Sequence, residues 1–256
     1  MTKPKKSWLA IQLAATAAAL LAFFLAWPEH ACAQNSEGAE FVPFGGNSDE
    51  LARIIEPYGH VDLAARWLTP TIPVCWASPA GQFSAAKAIV QRAVSGPDSP
   101  FEQHSALRFV GWRTCDDGND GIAITIADER AWSQVGPQVG EFLQPPRRTQ
   151  MLLNFELAQW PCYTDREHCI VAVARHEFMH AVGVLHEHIR PDAPEPCRSG
   201  HSEQRDFRGA RPQSVTDYDP DSIMNYCNNI YRLSRPPTLS RLDILTIQYL
   251  YGRRQP

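Results

Sequence analysis

Residues 175–190 read RHEFMHAVGVLHEHIR, with four histidines and two glutamates in one short stretch. His176 and His180 are four apart, so on a helix their side chains share one face a turn apart and can grip a single ion. Gly183 follows where the helix would stop, because glycine accepts the left-handed conformation such a stop needs. The chain can then turn and bring His186 toward the same ion. Three neutral imidazoles and an open fourth position are the donor set of a catalytic zinc, whereas structural zinc sites are closed by a fourth protein ligand. Glu177, next to the first ligand, stands beside the metal and not at it. There it can take a proton from a water whose pKa zinc lowers to roughly 7, and pass it to a leaving amine. His188, two residues past His186, is expected to point away into solvent. His168 and His201 have no assigned role.

The elements that must position these residues can be read along the chain. CIVAVARHEFMHAVG (169–183) has no proline, and no glycine before Gly183, and is expected to be the helix that carries the motif. TIPVCWAS (71–78), ALRFVGW (106–112), GIAITIAD (121–128) and MLLNFELA (151–158) read as strands, rich in β-branched or apolar residues. FSAAKAIVQRAVSG (83–96) reads as a helix with Ser84 as N-cap and Gly96 as stop, and SRLDILTIQYLYG (240–252) as a closing amphipathic helix. RPDAPEPCRSG (190–200) is a proline-rich loop, and a second loop ends in DPDSIMNYCNN (219–229). Strands and helices in this order predict one α+β domain in two lobes.

The N-terminus sets the compartment. Lys3, Lys5 and Lys6 precede an apolar run from Trp8 to Trp27, and Ala31 and Ala33 then stand at the spacing of a cleavage site before Gln34. This is the order of a secretory signal. An uncleaved membrane anchor is the alternative, because a run of about 20 residues also spans a bilayer. Either outcome puts the remainder outside the cytoplasm. Residues 34–66 read as an arm, linker or short pro-segment, and 67–256 as the catalytic domain. The 256-residue chain has a formal charge of −4; removing residues 1–33 takes away three lysines and Glu29 and leaves 21 Lys+Arg against 27 Asp+Glu. Neither balance supports nucleic-acid binding. The same cut removes Cys32 and leaves Cys75, Cys115, Cys162, Cys169, Cys197 and Cys227. In an exported chain an even count predicts three disulfides, with 15 pairings open from sequence.

HEFMHAVGVLH, followed by Glu187, resembles the zinc signature of the metzincin metalloproteases and, among them, of the astacin family. SIMNY (222–226) is similar to the methionine-containing turn of those enzymes, and LSRLDILTIQYLYG (239–252) resembles their closing helix. The resemblance implies a twisted, mostly parallel sheet with two long helices above it and an irregular C-terminal lobe ending in a helix. It implies one catalytic Zn²⁺ on His176, His180 and His186, with Tyr226 as a displaceable further ligand that stabilises the oxyanion and Met224 as an apolar floor. In astacins the glutamate at the position of Glu187 ties down the mature N-terminus. On such a scaffold the cysteines would pair as Cys162 with Cys169, Cys197 with Cys227, and Cys75 with Cys115.

Three departures mark this chain as a divergent, bacterial-type relative: HIRPDAPEP keeps only Arg190 and Asp192 of the family's charged run, Asn225 replaces a common histidine, and FGGN (44–47) places Asn47 where a propeptide aspartate would stand. The expected activity is a secreted or periplasmic zinc endopeptidase, a monomer acting on peptides or proteins, touching a membrane only if its leader stays attached. An exported zinc-binding module without turnover and a zinc amidohydrolase on a non-peptide amide are the competing classes. Substrate preference lies in loops 129–150 and 191–221, which sequence does not place.

Overall fold

Strand β2 (Thr71–Trp76) buries Ile72, Val74 and Trp76 on one face and Cys75 on the other, where Thr71 and Pro73 are exposed. It pairs in parallel with β3 (Arg108–Thr114) on one side and β4 (Gly121–Ile126) on the other. Strand β6 (Arg148–Leu153) continues the parallel set, and the short β5 (Trp132–Ser133) closes the edge antiparallel to it. The sheet order is β3-β2-β4-β6-β5. The computed structural model describes residues 60–78, 81–116, 120–137, 148–156, 162–200, 213–214, 216–227, 233 and 235–255. The leader with Cys32, the FGGN stretch and His201 lie outside them. No helix of the described residues is long and apolar enough to cross a membrane.

Helix α1 (Ser84–Val94) packs on the long helix α3 (Arg166–Ala181), which stands between the short α2 (Pro100–His104) and α4 (Glu195–Gly200) in chain order. Ile72, Val74, Ile122, Ile124, Met151 and Leu153 of the sheet, Val90 and Val94 of α1, and Val173 and Phe178 of α3 are all buried in one core. The fold is thus the α+β, mostly parallel-sheet architecture with two long helices that the motifs imply.

Local details differ from the sequence reading. Ser84 opens α1 instead of capping it: Phe83 is the cap residue, in the left-handed region at φ 56°, without a side-chain cap bond. The strand expected from Met151 begins three residues earlier, because Arg148 and Thr149 pair with Gly121 and Ile122. The folded region also reaches upstream of Trp67. Strand β1 (His60–Val61) pairs antiparallel with β7 (Gln213–Ser214), and a 3-10 turn follows at Leu63–Ala65. The closing helix α5 (Arg241–Tyr251) starts with a capping box: Asp243 N–H donates to Ser240 Oγ, and Ser240 N–H donates to the Asp243 carboxylate.

Disulfides join Cys75 to Cys115, Cys162 to Cys169, and Cys197 to Cys227. The second closes a short loop at the start of α3, where Asp165 also accepts a hydrogen bond from the His168 N–H. The third ties α4 to the turn that carries SIMNY.

Candidate active site

Helix α3 presents the histidine motif from inside the protein. His176, Glu177 and His180 are all buried on its last turns. Two side chains hold its C-terminal end by taking up carbonyls that no helical N–H reaches. Trp67 Nε1 donates to Ala181 O at 2.7 Å, and the Tyr251 hydroxyl donates to Val182 O at 2.9 Å. Gly183 then turns the chain at φ +95°, a conformation L side chains rarely adopt. A Cβ there would also sit 3.3 Å from Ala65 O.

Beyond this turn His186 folds back onto the helix. One ligand atom from each of His176, His180 and His186 lies within 4.8 Å of the others. His180 Nε2 and His186 Nε2 are 3.0 Å apart, so a proton or a metal ion must lie between them. Tetrahedral zinc with bonds of 2.0–2.1 Å separates its ligand nitrogens by about 3.4 Å. The triad therefore fits one zinc ion with only small adjustment.

The tautomers agree. His176 Nδ1 lies 2.8 Å from Ile223 O, and His180 Nδ1 lies 2.8 Å from Val184 O. A carbonyl only accepts, so each Nδ1 carries the hydrogen and each Nε2 keeps its lone pair for a metal. Burial, then the neighbouring histidines, push His180 and His186 well below the usual imidazole range, which keeps both rings neutral. Burial pushes the Glu177 carboxyl up to about 8, against the opposing pull of the Arg130 guanidinium. A carboxyl tuned into that range exchanges protons near neutral pH.

The 222–226 segment lies against the triad. The Tyr226 ring centroid is 4.9 Å from that of His186 and 5.4 Å from that of His176. Met224 is fully buried, and its carbonyl accepts a hydrogen bond from the Glu187 N–H. His188 corrects the sequence reading. It is fully buried, not solvated, with its ring 5.0 Å from His186 and 4.7 Å from Tyr226. The cause is the 3-10 turn Glu187–Ile189, which folds the chain back where an extended segment would have carried the ring outward.

Glu187 is buried and engaged within the fold. Its carboxylate accepts from the Asp219 N–H at 2.7 Å and faces the Arg190 guanidinium at 3.4 Å. Arg190, fully buried, also grips the Asp192 carboxylate and Thr216, through Oγ1 at 2.9 Å and through its carbonyl. A second carboxylate braces the methionine turn: Asp243 accepts from Ser222 Oγ and from the Ile223 N–H. Sequence reasoning gave no role to His60, Asp219 or Asp243. The Ser240–Asp243 spacing was a readable capping signal, whereas nothing local marks His60 or Asp219.

Residues 161–255 match the peptidase family described as Astacin. No curated protein sequence matches the chain. Among solved structures, myroilysin is similar at 18% identity and a TM-score of 0.53, with 77% of this chain and 100% of that chain covered. High choriolytic enzyme 1, a hatching-enzyme zinc protease from the medaka fish Oryzias latipes, is similar at 18% identity and a TM-score of 0.49, over 75% of this chain and 96% of that one. The myroilysin likeness speaks for the fold. The astacin match spans all three histidines, the methionine turn and the closing helix, and the triad fits one zinc ion. Over residues 161–255 the chain is thus similar to the astacin peptidases, and the match together with the triad supports an astacin-like metzincin, a zinc metalloendopeptidase.

Proposed function

We propose that this chain is an exported endopeptidase in which Glu177 is the general base and Tyr226 the oxyanion donor. The observation that carries the reading is the buried triad His176, His180 and His186, with Glu177 buried beside it. When held there, zinc supplies Lewis acidity that polarises a peptide carbonyl and acidifies a water. Glu177 accepts the proton of the attacking water and delivers it to the leaving amine, from its buried position next to the first ligand. The Tyr226 ring lies tilted against those of His176 and His186, which supports a role for its phenol as donor to the oxygen that gains charge. Met224 and the Cys197–Cys227 link hold the turn that carries it.

Export is supported by three disulfides, which persist in oxidising compartments. The basic, apolar and small-residue order of residues 1–33 supplies the leader. Two measurements test the proposal. Peptide-library cleavage should stop with a zinc chelator and return with zinc; chelator-resistant cleavage would contradict it. Mass analysis of the exported protein should show no N-terminus upstream of Gln34; a retained Met1 would sink the cleaved-leader part.

A further inference from the structure

Three hydrogen bonds join residues 60–62 to the segment 183–186, which runs up to the third histidine. The Leu185 N–H donates to His60 O at 2.7 Å, and the Asp62 N–H donates to Gly183 O at 2.9 Å, so residues 60–62 run antiparallel to 183–185. The third bond comes from a side chain. His60 Nδ1 lies 2.9 Å from His186 O, the carbonyl of the third ligand itself, and again a carbonyl can only accept. The segment so held has a second duty, because Val184 O is the acceptor that fixes the His180 ring. On its other edge β1 is paired with β7, so it is clamped between two strands. His60 is buried, 126 residues away from His186 in sequence.

We infer that His60–Asp62 is a positioning strand for the metal site, with His60 as its side-chain anchor, setting the 184–186 backbone from which His180 and His186 reach the metal. His60 is a positioning residue: it touches the ligand's backbone and not the reacting atoms. Proteolytic maturation that yields active enzyme must then cut on the N-terminal side of His60. The inference rests on His180 and His186 being ligands.

The test compares full-length His60→Ala, His60→Asn and His60→Gln with the parent, alongside His186→Ala. Zinc affinity is read by competition with a chromophoric chelator, and folding by near-ultraviolet circular dichroism of the metal-free proteins. Asparagine places an amide N–H close to the position of Nδ1; glutamine fills more of the space but sets its amide one atom further out. Partners of metal-ligating histidines typically contribute 10–100-fold in metal affinity. Expected is a loss of about that size in His60→Ala and His60→Gln, with His60→Asn within about threefold of the parent. Should His60→Ala fail to fold, the contrast between asparagine and glutamine carries the test. Folded alanine or glutamine variants that bind zinc like the parent, or an asparagine variant as weak as the others, would overturn the inference. His186→Ala separates the two failures: if it also keeps full affinity, the ligand assignment itself is wrong.

Discussion

His176 on helix α3 donates its Nδ1 hydrogen to the carbonyl of Ile223, 47 residues later, at 2.8 Å. One bond thus fixes the tautomer of the first metal ligand and docks the methionine turn against the zinc helix. The turn is braced in turn by Asp243, which holds the Ile223 N–H and the Ser222 hydroxyl from the closing helix. The C-terminal helix is therefore mechanically connected to the metal centre through two side chains and the backbone of one residue, Ile223.

That connection has a pH signature. Burial pushes the Asp243 carboxyl up to about 6, against its three donors, whereas an unfolded aspartate titrates near 3.9. Between those values the folded protein holds on Asp243 a proton the unfolded chain has released, so the stability this residue contributes falls as pH rises from about 4 to about 6 and is level above. Asp243→Asn removes the titration. Thermal melts of the metal-free proteins should show the variant gaining on the parent across that window. Parallel pH profiles would contradict the assignment.

Tyr226→Phe removes a donor without removing the ring that packs against the histidines. If the phenol stabilises the oxyanion, kcat should fall by about 10²–10³-fold, with KM changed little and zinc content intact. Steady-state kinetics on one peptide decides it. A fall confined to KM would make Tyr226 a binding residue only.

Arg190 is buried among Glu187, Asp192 and Thr216. Arg190→Met leaves the Glu187 carboxyl buried without its cation, a loss that typically costs about 3–5 kcal/mol where a buried pair is broken; the half-exposed Asp192 adds little. A Tm within a degree or two of the parent would show the network to be dispensable.

The Cys197–Cys227 link anchors the residue next to Tyr226. Replacing both cysteines by serine should cost about 2–4 kcal/mol and lower kcat more than the same change at Cys75 and Cys115, far along the chain from the histidines. Equal effects on kcat would mean that the link serves stability alone.

Much of the site was legible because its chemistry is local in sequence. The i, i+4 histidines, the glycine stop and the third histidine fall within one helix and its turn, where spacing alone dictates geometry. The strand cores and the ends of the closing helix were readable for the same reason, whereas the start of α1 was not, because Phe83 and not Ser84 is its cap residue. His188 was misplaced because a 3-10 turn has no periodicity to announce it. His60, Asp219 and the reach of Asp243 to Ile223 were invisible because each contact spans a long sequence separation, and a distant backbone group leaves no mark in a residue pattern. Strand β1 was similarly hidden: it is two residues long, and only its partners define it.

The most direct test of the central claim concerns Glu177. Glu177→Ala should hold zinc at the parent's stoichiometry, because the residue is not a ligand. Its peptide turnover should fall by at least about 10²–10⁴-fold, the usual contribution of a positioned general base. Zinc content and cleavage rate measured on the same preparation give the answer. Full zinc with turnover lost establishes the role; full zinc with turnover retained would contradict it.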